Sequence, residues 1–319
     1  MSYKAALIGL GQIAYTFDDG SNEGVSSLSH YAAYTENPDI RVVGGYSPLD
    51  KEAKDFQNNT GVMATTELSE LLSLKPDLIS ICSPTNKHAE QLELLVRSQI
   101  PMIWLEKPAA ESSEDIVNII DLSRDIESKS TILVNFFRRY HQSYKKLKEL
   151  IASKYFGDVK AVNISYSRGL LNNGVHMLDL IFFLFPDTKY RIEWVGIDDS
   201  DNPSFIIEFG NSVRIFVQGT ETDYHNIDIV VTFSKGRVPV IHGGMTTSLE
   251  EEISHELFPD YSRLSFASDN IIGEGGFNRS FDEALMDLIE SHEKSTPPLS
   301  NLESSLKSHK LVEEIFSFN

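Results

Sequence analysis

The stretch MIWLEKPAA ends an apolar run in Glu106, Lys107 and Pro108, and further along NNGVHMLD (172–179) sets His176 three residues ahead of Asp179. A lysine at a strand end can hold a substrate hydroxyl or carbonyl and stabilise charge that develops on its oxygen. A histidine can take up or release a proton near neutral pH, and an acid one helical turn away can orient its ring. Each segment also has a plainer reading. Glu-Lys-Pro fits a solvated turn. His176 fits a packing position in a buried helix, because apolar residues at 177, 178, 180, 181, 184 and 185 cover most of its circumference. Asn172 or Asn173 would cap such a helix, and Pro186 would stop it.

A third signal is ALIGLGQIA, which places Gly9, Gly11 and Ala14 in the G-x-G-x-x-G/A spacing. The first glycine permits a tight turn, the second lets a pyrophosphate approach the backbone, and the small third residue lets helix and strand pack closely. A helix starting there would turn its N–H groups towards the phosphates. At the end of the next strand, where an acid commonly holds the ribose of NAD, this chain has Ser47, with Lys51 nearby. A serine does not repel a 2′-phosphate, so the residues tilt towards NADP over NAD.

These residues need a frame, and the pattern of the first third supplies one. YKAALIGLG, IRVVGGYS, DLISICSP, PMIWLEKP and STILVNFF are short apolar runs of strand type. Helical stretches such as DKEAKDFQNN, TELSELLSL, NKHAEQLELLVRSQ and SSEDIVNIIDLSRDIES separate them. That alternation predicts βαβ units and a doubly wound parallel sheet of Rossmann type over 1–136. YTFDDGSNEGVSSLSHYAAY is longer than one ordinary helix, so the region 16–30 holds either a lid or a plain insertion. From 137 to 319 the texture changes to short strands joined by Gly, Asn and Ser turns, followed by two helices. This predicts an α+β domain with a mostly antiparallel sheet. Residues 245–275 carry seven acids and one base, which suggests a polar excursion or loop.

Composition limits the partners. The formal net charge of −19 opposes nucleic acid and anionic membrane surfaces. A lone Cys82 inside an apolar run reads as a buried small hydrophobe, and a single cysteine suits a reducing, cytoplasmic setting. No run is long enough to span a bilayer. His225, His242 and His255 lack the spacing of a metal site.

Taken together and in order, ALIGLGQIA, ICSPTNKHAEQ, PMIWLEKPAA, NFFRRYHQSYKKLKELI and NNGVHMLDLIFFLF resemble the Gfo/Idh/MocA family, the glucose–fructose oxidoreductase and inositol dehydrogenase group. The resemblance implies a Rossmann domain joined to a domain with an open sheet, commonly used to form a homodimer or homotetramer. It implies an NAD(P)-dependent dehydrogenase or reductase acting on a sugar, cyclitol or sugar derivative. The alternatives are a reductase of a nucleotide-linked keto sugar and a non-catalytic cofactor-binding sensor. Carried over by position, Gly9, Gly11, Gln12 and Ile13 would hold the pyrophosphate. Ser83, Pro84, Thr85, Asn86 and His88 would flank the cofactor, and Glu106 would lie by the nicotinamide ribose. Lys107 would contact the reacting hydroxyl and His176 would be the acid/base, with Asp179 orienting it. Many members carry an aspartate four residues before that histidine, where this chain has Asn172. Arg168, Tyr166, Arg138, Arg139 and Tyr140 are candidates for binding substrate together with Asn172 and Asp179.

Overall fold

The computed structural model describes residues 2–18, 27–186, 189–196, 201–210, 213–267 and 279–318. The chain forms two compact units, Met1–Phe137 with Asn278–Leu306, and Arg138–Phe277 with Lys307–Asn319. Residues 278–306, expected in the second domain, therefore belong to the first.

The first unit is built on six strands: β1 (Tyr3–Ile8), β2 (Ile40–Tyr46), β3 (Ala64–Thr65), β4 (Leu78–Ile81), β5 (Met102–Leu105) and β6 (Thr131–Val134). They lie in the order β3-β2-β1-β4-β5-β6 and every pairing is parallel. This is the doubly wound sheet that the alternating pattern predicts. Helices α1 (His30–Glu36), α2 (Asp50–Thr60), α3 (Leu68–Ser73), α4 (His88–Arg97) and α5 (Ser113–Asp125) make the crossovers. The strand order reverses between β1 and β4, and in such sheets ligands bind in the crevice at the carboxyl ends beside that reversal. The returning helix α8 (Ser280–Lys294) buries Phe281, Ala284, Leu285, Leu288 and Ile289, an i, i+3, i+4, i+7, i+8 stripe, against β5, β6 and α1. That stripe is why the segment joins this unit. Beyond it, Ser300 exchanges two hydrogen bonds with Val134, extending the link to β6.

The connection after β1 resolves part of the question about 16–30. The glycine loop makes one turn over 11–15 and a 3-10 turn at Thr16–Asp18, and α1 begins only at His30. Yet the N–H of His30 donates to Ile13 O at 3.1 Å and that of Tyr31 to Ala14 O at 2.9 Å. The helix expected straight after the glycines is thus spliced: α1 begins only at His30, and its first N–H groups bond back to the turn of the glycine loop. Most of DDGSNEG lies outside the described residues.

In the second unit, β7 (Val159–Ser167), β8 (Tyr190–Gly196), β9 (Ser204–Phe209), β10 (Val213–Thr220), β11 (Ile227–Phe233), β12 (Gly236–Ile241), β14 (Glu250–Ser254) and β15 (Ser262–Phe266) run in the order β15-β14-β12-β11-β7-β10-β9-β8, with β13 (Thr246–Thr247) paired to β12. Only the β7–β10 pairing is parallel, so the sheet is mostly antiparallel. Burial alternates along β9 and β11, as a sheet with one covered face requires. Helices α6 (Gln142–Ala152) and α7 (Val175–Leu184) pack on one another, and Phe182 and Phe185 meet Phe209 of β9. α9 (Leu302–Phe316) closes the chain. The acidic stretch from 245, expected to be a loop, instead pairs β14 with β15 as a hairpin; residues 268–275 of it lie outside the described residues. Trp194, Phe216, Leu264 and Phe266 stand exposed on strands of this sheet.

Candidate active site

In the first unit the expected cofactor residues gather at the carboxyl ends of β1, β4 and β5. Gly9 has φ +83°, and an added Cβ would lie 2.5 Å from Ser83 N and 2.7 Å from Cys82 C. Only glycine can take that conformation and let the β1 and β4 ends approach so closely. Gly11 is exposed, and a Cβ there would meet nothing within 4 Å. The backbone of the loop therefore faces open space, as a pyrophosphate cradle must. Gln12, Pro84 and Asn86 are exposed around it, while Ile13, Ser83 and Thr85 are partly so. These residues fit a dinucleotide. One expectation changes in detail: the N–H groups at the cradle come from a single turn, not from a long helix.

Glu106 follows β5 directly and is buried. Its Oε1 accepts from His30 Nε2 at 2.9 Å and from Asn135 Nδ2 at 2.5 Å, and its Oε2 accepts from the Lys107 backbone N–H at 3.3 Å. Burial alone pushes its carboxyl up, but His30, Asn135 and the charge of Lys107 outweigh it and hold the group below its usual range. The anion beside Lys107 is therefore fixed in place and ionised at neutral pH. His30 is itself pinned: Nδ1 lies 2.7 Å from Ser80 Oγ, which also bonds the Tyr34 hydroxyl, and the ring packs on Trp104. None of His30, Ser80, Tyr34 or Asn135 was singled out from the sequence. Their only sequence signal is polar type within apolar runs, and that does not name partners. Cys82 is buried, with its thiol pushed up by burial and by Glu106, as an inert small residue would be.

Ser47 departs from expectation. It is fully buried; its Oγ donates to Glu52 Oε2 at 2.6 Å and accepts from Leu49 N at 3.2 Å. The group that the end of β2 presents is thus backed by a carboxylate from the first turn of α2.

The second unit organises the His176 segment differently from the sequence expectation. Neither asparagine caps α7. A π-helical turn over Gly169–Gly174 precedes it, and the cap position is Gly174, with no side-chain hydrogen bond. The reason is steric: a Cβ on Gly174 would lie 2.8 Å from Leu170 Cδ1 and 2.9 Å from Tyr166 Cε2. The chain enters α7 lying flat on the Tyr166 ring. Tyr166 is fully buried and donates its hydroxyl to Pro203 O at 2.8 Å, so it serves as a floor for this turn. Arg168 is exposed and holds the left-handed region at φ 68°. Asn172 is exposed, whereas Asn173 is buried with Nδ2 3.3 Å from His225 Nδ1.

His176 is buried on α7. Asp179, expected to orient its ring, is instead the counter-ion of Arg139: Arg139 Nε reaches Oδ2 and its terminal nitrogen reaches Oδ1, both at 2.7 Å. Burial pushes the Asp179 carboxyl up, and the guanidinium pulls against that. Arg139 also lies over the Phe183 ring at 5.7 Å, with Lys148 on the same ring at 3.9 Å. Asp179 and Phe183 of α7 therefore form a packing seam with Arg139 and Lys148. Arg138 and Tyr140 are buried too. Arg138 lies beside Tyr144, whose hydroxyl is pushed up to about 12 by burial against the pull of that arginine. Of the three arginines considered for substrate, only Arg168 is exposed.

Among the described residues no three of His, Cys, Asp or Glu converge as metal ligands, and no helix is long and apolar enough to cross a membrane. Residues 3–136 match the model of an oxidoreductase family with an NAD-binding Rossmann fold. The chain is 22% identical over 209 residues to D-glucoside 3-dehydrogenase of Escherichia coli, covering 58% of this chain and 55% of the relative. It is 25% identical over 204 residues to inositol 2-dehydrogenase of Corynebacterium glutamicum, covering 60% and 57%. The matches thus span little more than half the length of these relatives. A solved dehydrogenase from Clostridium difficile has the same fold, with TM-score 0.77 at 18% identity over 99% of each chain.

The buried ion pair yields a stability prediction. Asp179→Asn leaves the Arg139 guanidinium buried without its counter-charge, which costs roughly 3–5 kcal/mol. Thermal unfolding should fall by on the order of 10 °C, and Arg139→Leu in the same chain should recover part of that. An unchanged Tm would mean the pair contributes nothing.

Proposed function

We propose that this chain, whose residues 3–136 match the model of an oxidoreductase family with an NAD-binding Rossmann fold, is a Gfo/Idh/MocA-type NAD(P)-dependent dehydrogenase or reductase of a sugar, cyclitol or sugar derivative. The observation that carries the reading is the end of β5. Lys107 is partly exposed next to a buried carboxylate held by three donors, in the sheet where Gly9 and Ser83 close on each other. Gly9, Gly11, Gln12 and Ile13 would hold the pyrophosphate, with Ser83 to Asn86 along its flank. When bound, the nicotinamide supplies the acceptor or donor of the hydride.

The chain's own residues do the rest. The Lys107 ammonium holds the reacting oxygen and disfavours its protonation as carbonyl character develops. Glu106 sets a fixed negative charge beside that lysine and holds its backbone N–H. His176 takes the hydroxyl proton in oxidation and returns it in reduction. Asn172 can donate and accept a hydrogen bond but cannot exchange a proton. The exposed apolar residues of the second-unit sheet, Trp194, Phe216, Leu264 and Phe266, support self-association through that face. The net charge of −19 and the lone buried cysteine support a cytoplasmic protein that binds neither nucleic acid nor membrane.

The cofactor reading turns on Glu52. Ser47 and Lys51 alone tilt towards NADP. However, the Ser47 hydroxyl is engaged by the Glu52 carboxylate, which a 2′-phosphate would meet and a 2′-hydroxyl could bond. This favours NAD.

Two measurements test these readings. With a panel of polyols and sugar derivatives, reduced-nicotinamide absorbance should rise for the wild type, and Lys107→Ala should lower kcat by about 10²–10⁴-fold. Cofactor binding without turnover of any panel member, with Lys107→Ala harmless to the protein's biology, would leave a sensor. For the cofactor, the wild type should prefer NAD, and Glu52→Gln should shift the NADP/NAD ratio of kcat/KM by about tenfold towards NADP. An unshifted ratio would remove the argument for NAD.

A further inference from the structure

His88 is the first residue of α4 and is 1% exposed. Its Nδ1 lies 2.8 Å from the carbonyl oxygen of Pro108, and its Nε2 lies 2.8 Å from that of Ser83. A carbonyl oxygen can only accept. Both bonds form together only when both ring nitrogens carry a proton. With one proton, a ring lone pair would face a carbonyl lone pair in a buried place, where an unmet polar group is costly.

The two carbonyls belong to the two segments that matter most in this unit. Ser83 backs directly onto Gly9 of the glycine loop, and its hydroxyl donates to Gln91 of α4 at 2.5 Å. Pro108 follows Lys107 in the chain. A continuous path therefore runs from Gly9 through Ser83 and the imidazole to Pro108 and Lys107. Glu106 is anchored separately, by His30 and Asn135. The lysine thus sits between a residue fixed by its side chain and a residue fixed by its backbone oxygen.

We propose that His88 is a positioning residue for Lys107: donating from both ring nitrogens, it joins the Ser83 and Pro108 carbonyls and so sets the lysine-bearing turn against the glycine loop. The proposal rests on the reading of Lys107 as the residue that holds the reacting oxygen, and its test is built to fail separately. In full-length protein labelled with ¹⁵N-histidine, the His88 resonances are those lost in His88→Gln, and both ring nitrogens should show a directly bonded proton. In His88→Leu, amide exchange should quicken over 83–88 and 104–112 while β1 and α2 keep wild-type protection. In turnover, His88→Leu should lower kcat by about 10²-fold, the scale of a misplaced catalytic group, with little change in the cofactor KM. His88→Gln keeps one donor and should fall between that variant and wild type. A merely structural histidine would lower Tm and leave the kcat of the folded enzyme intact.

An unprotonated ring nitrogen, wild-type exchange over 104–112, or wild-type kcat in His88→Leu would each overturn the clamp. Should His88→Leu fail to fold, the same readouts on His88→Gln decide the matter. Should the protonation and exchange results hold while no polyol or sugar is turned over, the clamp stands and the oxidoreductase reading falls.

Discussion

A carboxylate buried at the end of a parallel strand is the constraint around which the first unit is arranged. Glu106 would be driven to its neutral form by burial, and three residues prevent that: His30, Asn135 and Lys107 through its charge. Each comes from a different part of the fold. His30 opens α1, Asn135 follows β6, and Lys107 begins the turn after β5. The site can form only when the sheet order brings those three together. A parallel sheet with β4, β5 and β6 adjacent does so, and α8 covers the strands with Phe281 packed against Trp104 and His30.

The spliced helix follows from the same demand. His30 must reach Glu106, yet the chain between the glycine loop and α1 is long. The N–H groups of His30 and Tyr31 meet both conditions by bonding back to Ile13 O and Ala14 O. His30 then bridges Glu106 and Ser80, while Tyr34 one turn later bonds the same serine.

Much of this architecture was legible in the sequence. Strands such as DLISICSP and MIWLEKPAA carry their own period and length, and the glycine spacing marks where the chain beyond β1 must pass close to Cys82 and Ser83 beyond β4. What stayed hidden was the partner of each buried polar group. Asp179 stands at helical spacing from His176, so the sequence pairs them; the structure pairs it with Arg139, distant in the chain. Ser47 reads as an uncharged strand end, yet it lies under the Glu52 carboxylate. The capping asparagines failed for a packing reason, because only Gly174 can lie so close to Tyr166. The return of α8 to the first unit depends on an apolar stripe that any sheet could have received. Periodicity records which face is buried, and it does not record against what.

The central claim is that residues at the β5 end serve direct hydride transfer to or from a carbinol carbon. The most direct measurement follows the atom itself. The protein is incubated with oxidised nicotinamide cofactor and a polyol deuterated at its carbinol carbons, and the reduced cofactor is examined by mass spectrometry and proton NMR. The account predicts one deuterium at C4 of the nicotinamide for each ketone formed. Ketone formed without label on the cofactor, or cofactor bound with no transfer from any polyol or sugar, would contradict it.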